Sequence, residues 1–147
     1  MRALAAVFCW ALPVATAAAP LVAVDVGHYE TEPGATSARG RPELEFNRAL
    51  AAALAGALEE RGLRVRVIGA DGRMAVLSRR TAAARDARFF LSIHHDSVQP
   101  HYLEEWEHEG GRRRFSDRFA GFSLFVSRRN PELERSLACA SSIGAAL

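Results

Sequence analysis

The chain has 147 residues, of which 49% are hydrophobic and 24% charged, with a formal net charge of +2. That length suits one domain with a real core, and the composition is that of ordinary globular proteins. So small a net charge gives no reason to invoke nucleic acid or an anionic membrane surface as a partner.

Met1-Arg2 followed by the apolar or small residues Ala3 to Ala19 has the charge, apolar run and small-residue end of a secretory signal peptide. The run is shorter than the roughly 20 residues a membrane-spanning helix needs. The sequence therefore predicts a leader over 1–19, a domain over 20–147, and a secreted, periplasmic protein with no stable membrane insertion once the leader is cleaved. Removing the leader takes Arg2 with it, so the charge falls from +2 to +1. Cys9 also leaves, and Cys139 alone cannot form an intrachain disulfide.

The Val-rich run Leu21 to Val26 predicts a strand buried on both faces. Gly27 to Gly40 reads as a loop, punctuated by Pro33-Gly34. Pro42 suits the first turn of a helix, and Glu43 and Glu45 suit its positive end. Apolar residues recur at helical spacing through Leu44, Leu50, Leu54 and Leu58, and Gly62 closes the element. Leu63 to Ile68 alternates as a second strand. Met74 to Ala87 predicts a second helix and Arg88 to Ile93 a third strand. Ser97 to Phe119 breaks the rhythm, as a long loop or hairpin does. Gly121 to Val126 predicts a fourth strand, and a last helix runs from Asn130-Pro131 towards Leu147. The order predicts an α/β fold: a mostly parallel central sheet with helices on both faces, in a single domain incomplete at its C-terminal end.

Two histidine motifs end the first and third strands, Gly27-His28 and His94-His95-Asp96. Neighbouring parallel strands bring their carboxyl ends to one edge, where ligand sites of open α/β sheets collect. A glutamate at the start of the first helix can reach that edge. Two histidines and a glutamate suit zinc with a fourth position left for water. Adjacent strand residues face opposite ways, so His94 and His95 do not both belong to one ion. The residues alone do not choose between them, nor between Glu43 and Glu45, and acids at a helix start need no ligand to account for them. Asp96 is placed to orient a histidine ring. Arg112 to Arg114 and Arg128-Arg129 read as solvated faces or contacts to an anionic polymer. No Gly-rich phosphate loop or Gly-x-Ser-x-Gly elbow is present.

Asp25-Val-Gly-His28, Pro33-Gly34-Ala35, Gly40, Glu45 with Asn47, Leu77-Ser-Arg-Arg80-Thr-Ala-Ala-Ala84 and Ser92-Ile-His94, in this order, resemble the zinc-dependent N-acetylmuramoyl-L-alanine amidases of the Amidase_3 type. The resemblance covers about residues 21 to 147. It implies one Zn2+ per chain held by His28, Glu45 and His94, with Asp96 standing where the family usually has asparagine. It implies hydrolysis of the amide between N-acetylmuramic acid and L-alanine in peptidoglycan, with glycan strand and stem peptide as partners and room for a protein activator. The family's general-base glutamate would lie beyond Leu147, so the sequence reads as a fragment of a longer enzyme. The alternative is a non-catalytic wall-binding or regulatory module that keeps the fold and the metal site.

Overall fold

A computed structural model describes residues 18–147. The expected leader falls almost wholly on residues 1–17, outside the described residues. The chain forms two compact units, one ending at Ser97 and one spanning Val98–Leu147.

The first unit contains strand β1 (Leu21–Val26), helix α1 (Glu43–Glu59), strand β2 (Arg64–Ile68), helix α2 (Leu77–Ala83) and strand β3 (Phe89–Ile93). The three strands are parallel in the order β2-β1-β3. This is the α/β architecture that the alternation of elements predicts. Central β1 is buried along almost its whole length, as its run of Val and Ala requires. On one face Val24, Val26 and Ile93 pack with Leu44 and Ala51 of α1. On the other, Ala23 and Ile68 pack with Ala84, just past α2, and with Met74 and Ala87. α1 thus covers one face, and the end of α2 with the segments flanking it covers the other. Leu44→Ala, which empties a buried position against β1, should cost about 2–5 kcal/mol. A lower denaturant midpoint at unchanged slope is the expected readout.

α2 is shorter than the sequence predicts. Its N-terminal neighbour Val76 is extended (φ −85°, ψ 114°). At the other end the N–H groups of Ala84, Arg85 and Ala87 bond three residues back, to Thr81, Ala82 and Ala84. This tighter winding ends an α-helix. Arg66 of β2 donates to the Ala83 carbonyl (2.6 Å) and pairs with Asp86, so the helix end is tied to the sheet.

The second unit holds a 3-10 turn (Pro100–Tyr102), an antiparallel hairpin of β4 (Glu104–His108) and β5 (Gly111–Phe115), and helix α3 (Leu133–Ala146). The stretch expected as a loop or hairpin is a hairpin, turned by Glu109 and Gly110, both at positive φ. Arg112 pairs with Glu105 across the strands, and the Trp106 ring stacks on His108. The fourth strand expected at Gly121 to Val126 does not form. Its apolar alternation goes elsewhere: Leu124 lies beside Gly144 of α3, whereas Phe125 is 93% exposed. Cys139 is a half-buried free thiol. Among the described residues no helix is long and apolar enough to cross a membrane.

Candidate metal centre

In a parallel sheet of order β2-β1-β3 the chain leaves β1 to one side for β2 and then to the other for β3. The crevice between the carboxyl ends of β1 and β3 is therefore a switch point, the usual ligand address of such sheets. Val26 pairs with Ile93 in the register, and Gly27 continues the ladder by donating to the Ile93 carbonyl (3.0 Å). His28 and His94 consequently emerge side by side, their ring centroids 4.9 Å apart and nearly perpendicular.

Glu43, the first residue of α1, reaches between them. Its Oε1 lies 3.2 Å from His28 Nε2 and 3.0 Å from His94 Nδ1. One ligand atom from each of the three residues falls within 4.8 Å of the others. Ligand atoms sharing a tetrahedral zinc at bond lengths of about 2.0–2.1 Å stand roughly 3.4 Å apart. The carboxylate oxygen stands near that distance from both imidazole nitrogens, so the three side chains are grouped as such an ion requires.

The carboxylate is fixed from every side. Its Oε1 accepts from the His95 N–H (3.0 Å) and the Asn47 amide (3.3 Å), and its Oε2 from the Ala35 N–H (3.0 Å). The Glu43 N–H in turn donates to the Ala35 carbonyl (2.7 Å), so loop and helix start close a ring around one residue. Burial alone pushes the Glu43 carboxyl up. The two backbone N–H groups, the Asn47 amide and the charge of His28 outweigh it and hold the group below the ordinary glutamate value of 4.5. Glu43 is therefore ionised at neutral pH, the form a cation needs. Its side chain is 3% exposed, against 29% for His28 and 50% for His94. The site is closed on the helix side and open on the histidine side.

Two glycines make the approach possible. A Cβ on Gly27 would stand 2.5 Å from the His94 ring and 2.6 Å from the Ile93 carbonyl oxygen. A Cβ on Gly34, whose φ is +83°, would stand 2.5 Å from Glu43 Oε2 and 2.7 Å from the His28 ring.

The residue range 22–147 matches the family model described as N-acetylmuramoyl-L-alanine amidase, Amidase_3. The chain belongs to the Amidase_3 family. Among solved structures it is similar to the N-acetylmuramoyl-L-alanine amidase AmiC2 of Nostoc punctiforme, at 28% identity and a TM-score of 0.52, over 55% of this chain and 46% of that one. It is also similar to the catalytic domain of CwlV, an N-acetylmuramoyl-L-alanine amidase from Bacillus (Paenibacillus) polymyxa var. colistinus, at 30% identity and a TM-score of 0.50, over 54% of this chain and 46% of that one. The Amidase_3 chain thus spans about half the length of the solved structures it matches. No curated protein matches it.

Of the residues expected to hold the metal, the structure brings His28 and His94 together, but not Glu45. Glu45 is exposed and accepts from Arg41 Nε at 3.0 Å, while Glu43 occupies the site. The reason is helical geometry: two residues turn the chain by about 200°, so Glu43 and Glu45 leave α1 on opposite sides. Of the adjacent histidines, His94 enters the cluster. His95 contributes its backbone N–H, and its ring Nδ1 lies 2.7 Å from Asn47 Oδ1. Asp96 is exposed and accepts from its neighbour, the Ser97 N–H. Asn47, part of the motif that carries the resemblance, has no role assigned by the sequence. Fully buried, it bridges Glu43, His95 and the Gly27 carbonyl.

Proposed function

We propose that this Amidase_3 chain carries the zinc site of a secreted hydrolase that cleaves the amide between N-acetylmuramic acid and L-alanine in peptidoglycan. The observation that carries the reading is the convergence of His28, Glu43 and His94 at the switch point of the sheet. Their donor chemistry favours zinc over the hard cations, which take oxygen ligands. Family membership supports the substrate class, and the leader-like N-terminal sequence supports export to the wall.

His28, Glu43 and His94 would hold the ion, which when bound supplies a water of lowered pKa and polarises the scissile carbonyl. Asn47, Ala35 and His95 keep the Glu43 carboxylate aimed and ionised. The exposed side, next to His94, is where water and the amide gain access. Gly27 and Gly34 keep the approach to the ligands free of side chains.

The test is to incubate the zinc-loaded full-length protein with purified sacculi. Stem peptides with a free L-alanine amine should be released, and release should stop on chelation and in His94→Ala. Reducing sugar in place of peptide would reject the amidase reading. Zinc binding and co-sedimentation with sacculi, without release, would favour a wall-binding module instead.

A further inference from the structure

We propose that Arg80 is a positioning residue for His28, acting through the backbone and not through the ion. The inference rests on the metal reading of His28, Glu43 and His94 given above.

Arg80 is the buried residue of α2, a helix whose other positions are otherwise open to solvent or half-buried. Its Nε donates to the Met74 carbonyl and its Nη1 to Asp25 Oδ1, both at 2.8 Å. Nη1 also donates to the Val26 carbonyl, and Nη2 to the His28 carbonyl. Asp25 is held from its other side by the Ser92 hydroxyl, which donates to Oδ2 at 2.7 Å. Gly69, at φ +73°, leaves room for the guanidinium, since a Cβ there would stand 2.7 Å from Nη1.

The acceptors matter more than their number. Val26 and His28 bracket Gly27, whose own carbonyl accepts from Asn47. Three successive carbonyls are therefore gripped by two buried side chains, Asn47 from the α1 face and Arg80 from the α2 face. The segment they hold contains His28 at φ +69°, in the left-handed region that a residue with a side chain rarely adopts. Backbone in that region persists only where its surroundings over-determine it. In this conformation the ring reaches back over the strand end towards Glu43. A planar fork serving three backbone carbonyls and a carboxylate is a task for arginine, and a lysine cannot reproduce it.

The experiment measures zinc affinity, by competition with a chromophoric chelator, and the visible spectrum of the cobalt-substituted protein. The proteins compared are wild type, Arg80→Lys, Asp25→Asn and Ile68→Val, with folding checked by circular dichroism. Arg80→Lys should weaken zinc binding about 10–100-fold, as losing a partner that orients a ligand does, and should alter the cobalt spectrum. Ile68→Val loosens the same face of the sheet without touching the clamped carbonyls, so it should lower thermal stability and leave affinity and spectrum unchanged. A merely structural Arg80 would make the two variants behave alike. Where Arg80→Lys does not fold, Asp25→Asn decides, because it keeps the shape and weakens the pair that fixes the guanidinium. It should weaken affinity in the same direction. Wild-type affinity and spectrum in the folded Arg80 or Asp25 variants would overturn the inference while leaving the metal reading intact. A wild-type protein that takes up no zinc would overturn both.

Discussion

Glu43→Gln should strip the protein of zinc, and Glu45→Gln should not. The two acids stand at the same helix start and carry the same charge, so a dipole effect would treat them alike. Their surroundings differ. Glu43 is buried with both oxygens engaged and with His28 and His94 within 3.2 Å of one of them. Glu45 is exposed and paired with Arg41. Glutamine at position 43 keeps the shape and most of the hydrogen bonds but removes the charge that faces the ion. The affinity lost should exceed the roughly 10–100-fold typical of residues that only orient ligands. Glutamine at position 45 should shift stability by no more than about 1 kcal/mol, the range of exposed ion pairs. Metal content by elemental analysis after dialysis, together with affinity by competition, reads both. Retention of zinc by Glu43→Gln with loss by Glu45→Gln would reverse the assignment.

Gly27→Ala should damage both the sheet and the metal site with a single methyl. The added Cβ would meet the His94 ring at 2.5 Å and the Ile93 carbonyl oxygen at 2.6 Å. The ring can swing away only by leaving Glu43. The carbonyl cannot move without breaking its bond from the Gly27 N–H, which ties β1 to β3. Overpacking of this kind costs about 1–3 kcal/mol, and the displaced ring should cost zinc affinity at least about 100-fold, the upper end of what misorienting a ligand does. Gly56→Ala is the control. It lies inside α1 with open space where its Cβ would go, so it should stabilise by about 0.5–1 kcal/mol and leave metal binding alone. Denaturant midpoints and zinc titrations separate the two. Full zinc affinity in Gly27→Ala would show that the ring position does not depend on the missing methyl.

The first unit was largely legible because burial on both faces and helical spacing write strong periodic signals. β1 begins and ends where the apolar run does, and α1 begins directly after Pro42. α2 is shorter than its pattern because alanines satisfy a helical pattern whether or not the backbone continues as a helix. What stopped it was the turn that tightens past Ala83, and the Arg66 guanidinium on the Ala83 carbonyl, a contact from seventeen residues away in the chain. Gly121 to Val126 has the composition of a strand, but a strand also needs an edge to pair with, and composition does not supply one. The sequence pattern also bears on which acid faces the histidines. Leu44, Asn47, Ala51 and Ala55 form the buried stripe of α1. Glu43 sits one turn before Asn47 on that stripe, and Glu45 lies off it. The amphipathic pattern already separated the two acids. Arg80 could not be read this way: nothing local distinguishes it from Arg79, which is exposed.

The ring of bonds about Glu43 has a consequence beyond coordination. The amides of Ala35 and His95 end on the same carboxylate, one from the loop after β1 and one from the end of β3. The loop after β1, the start of α1 and the distant end of β3 thus share a single fastening. A cation seated on that carboxylate locks all of them at once, and slowed hydrogen exchange at these two amides would report its arrival from within the backbone.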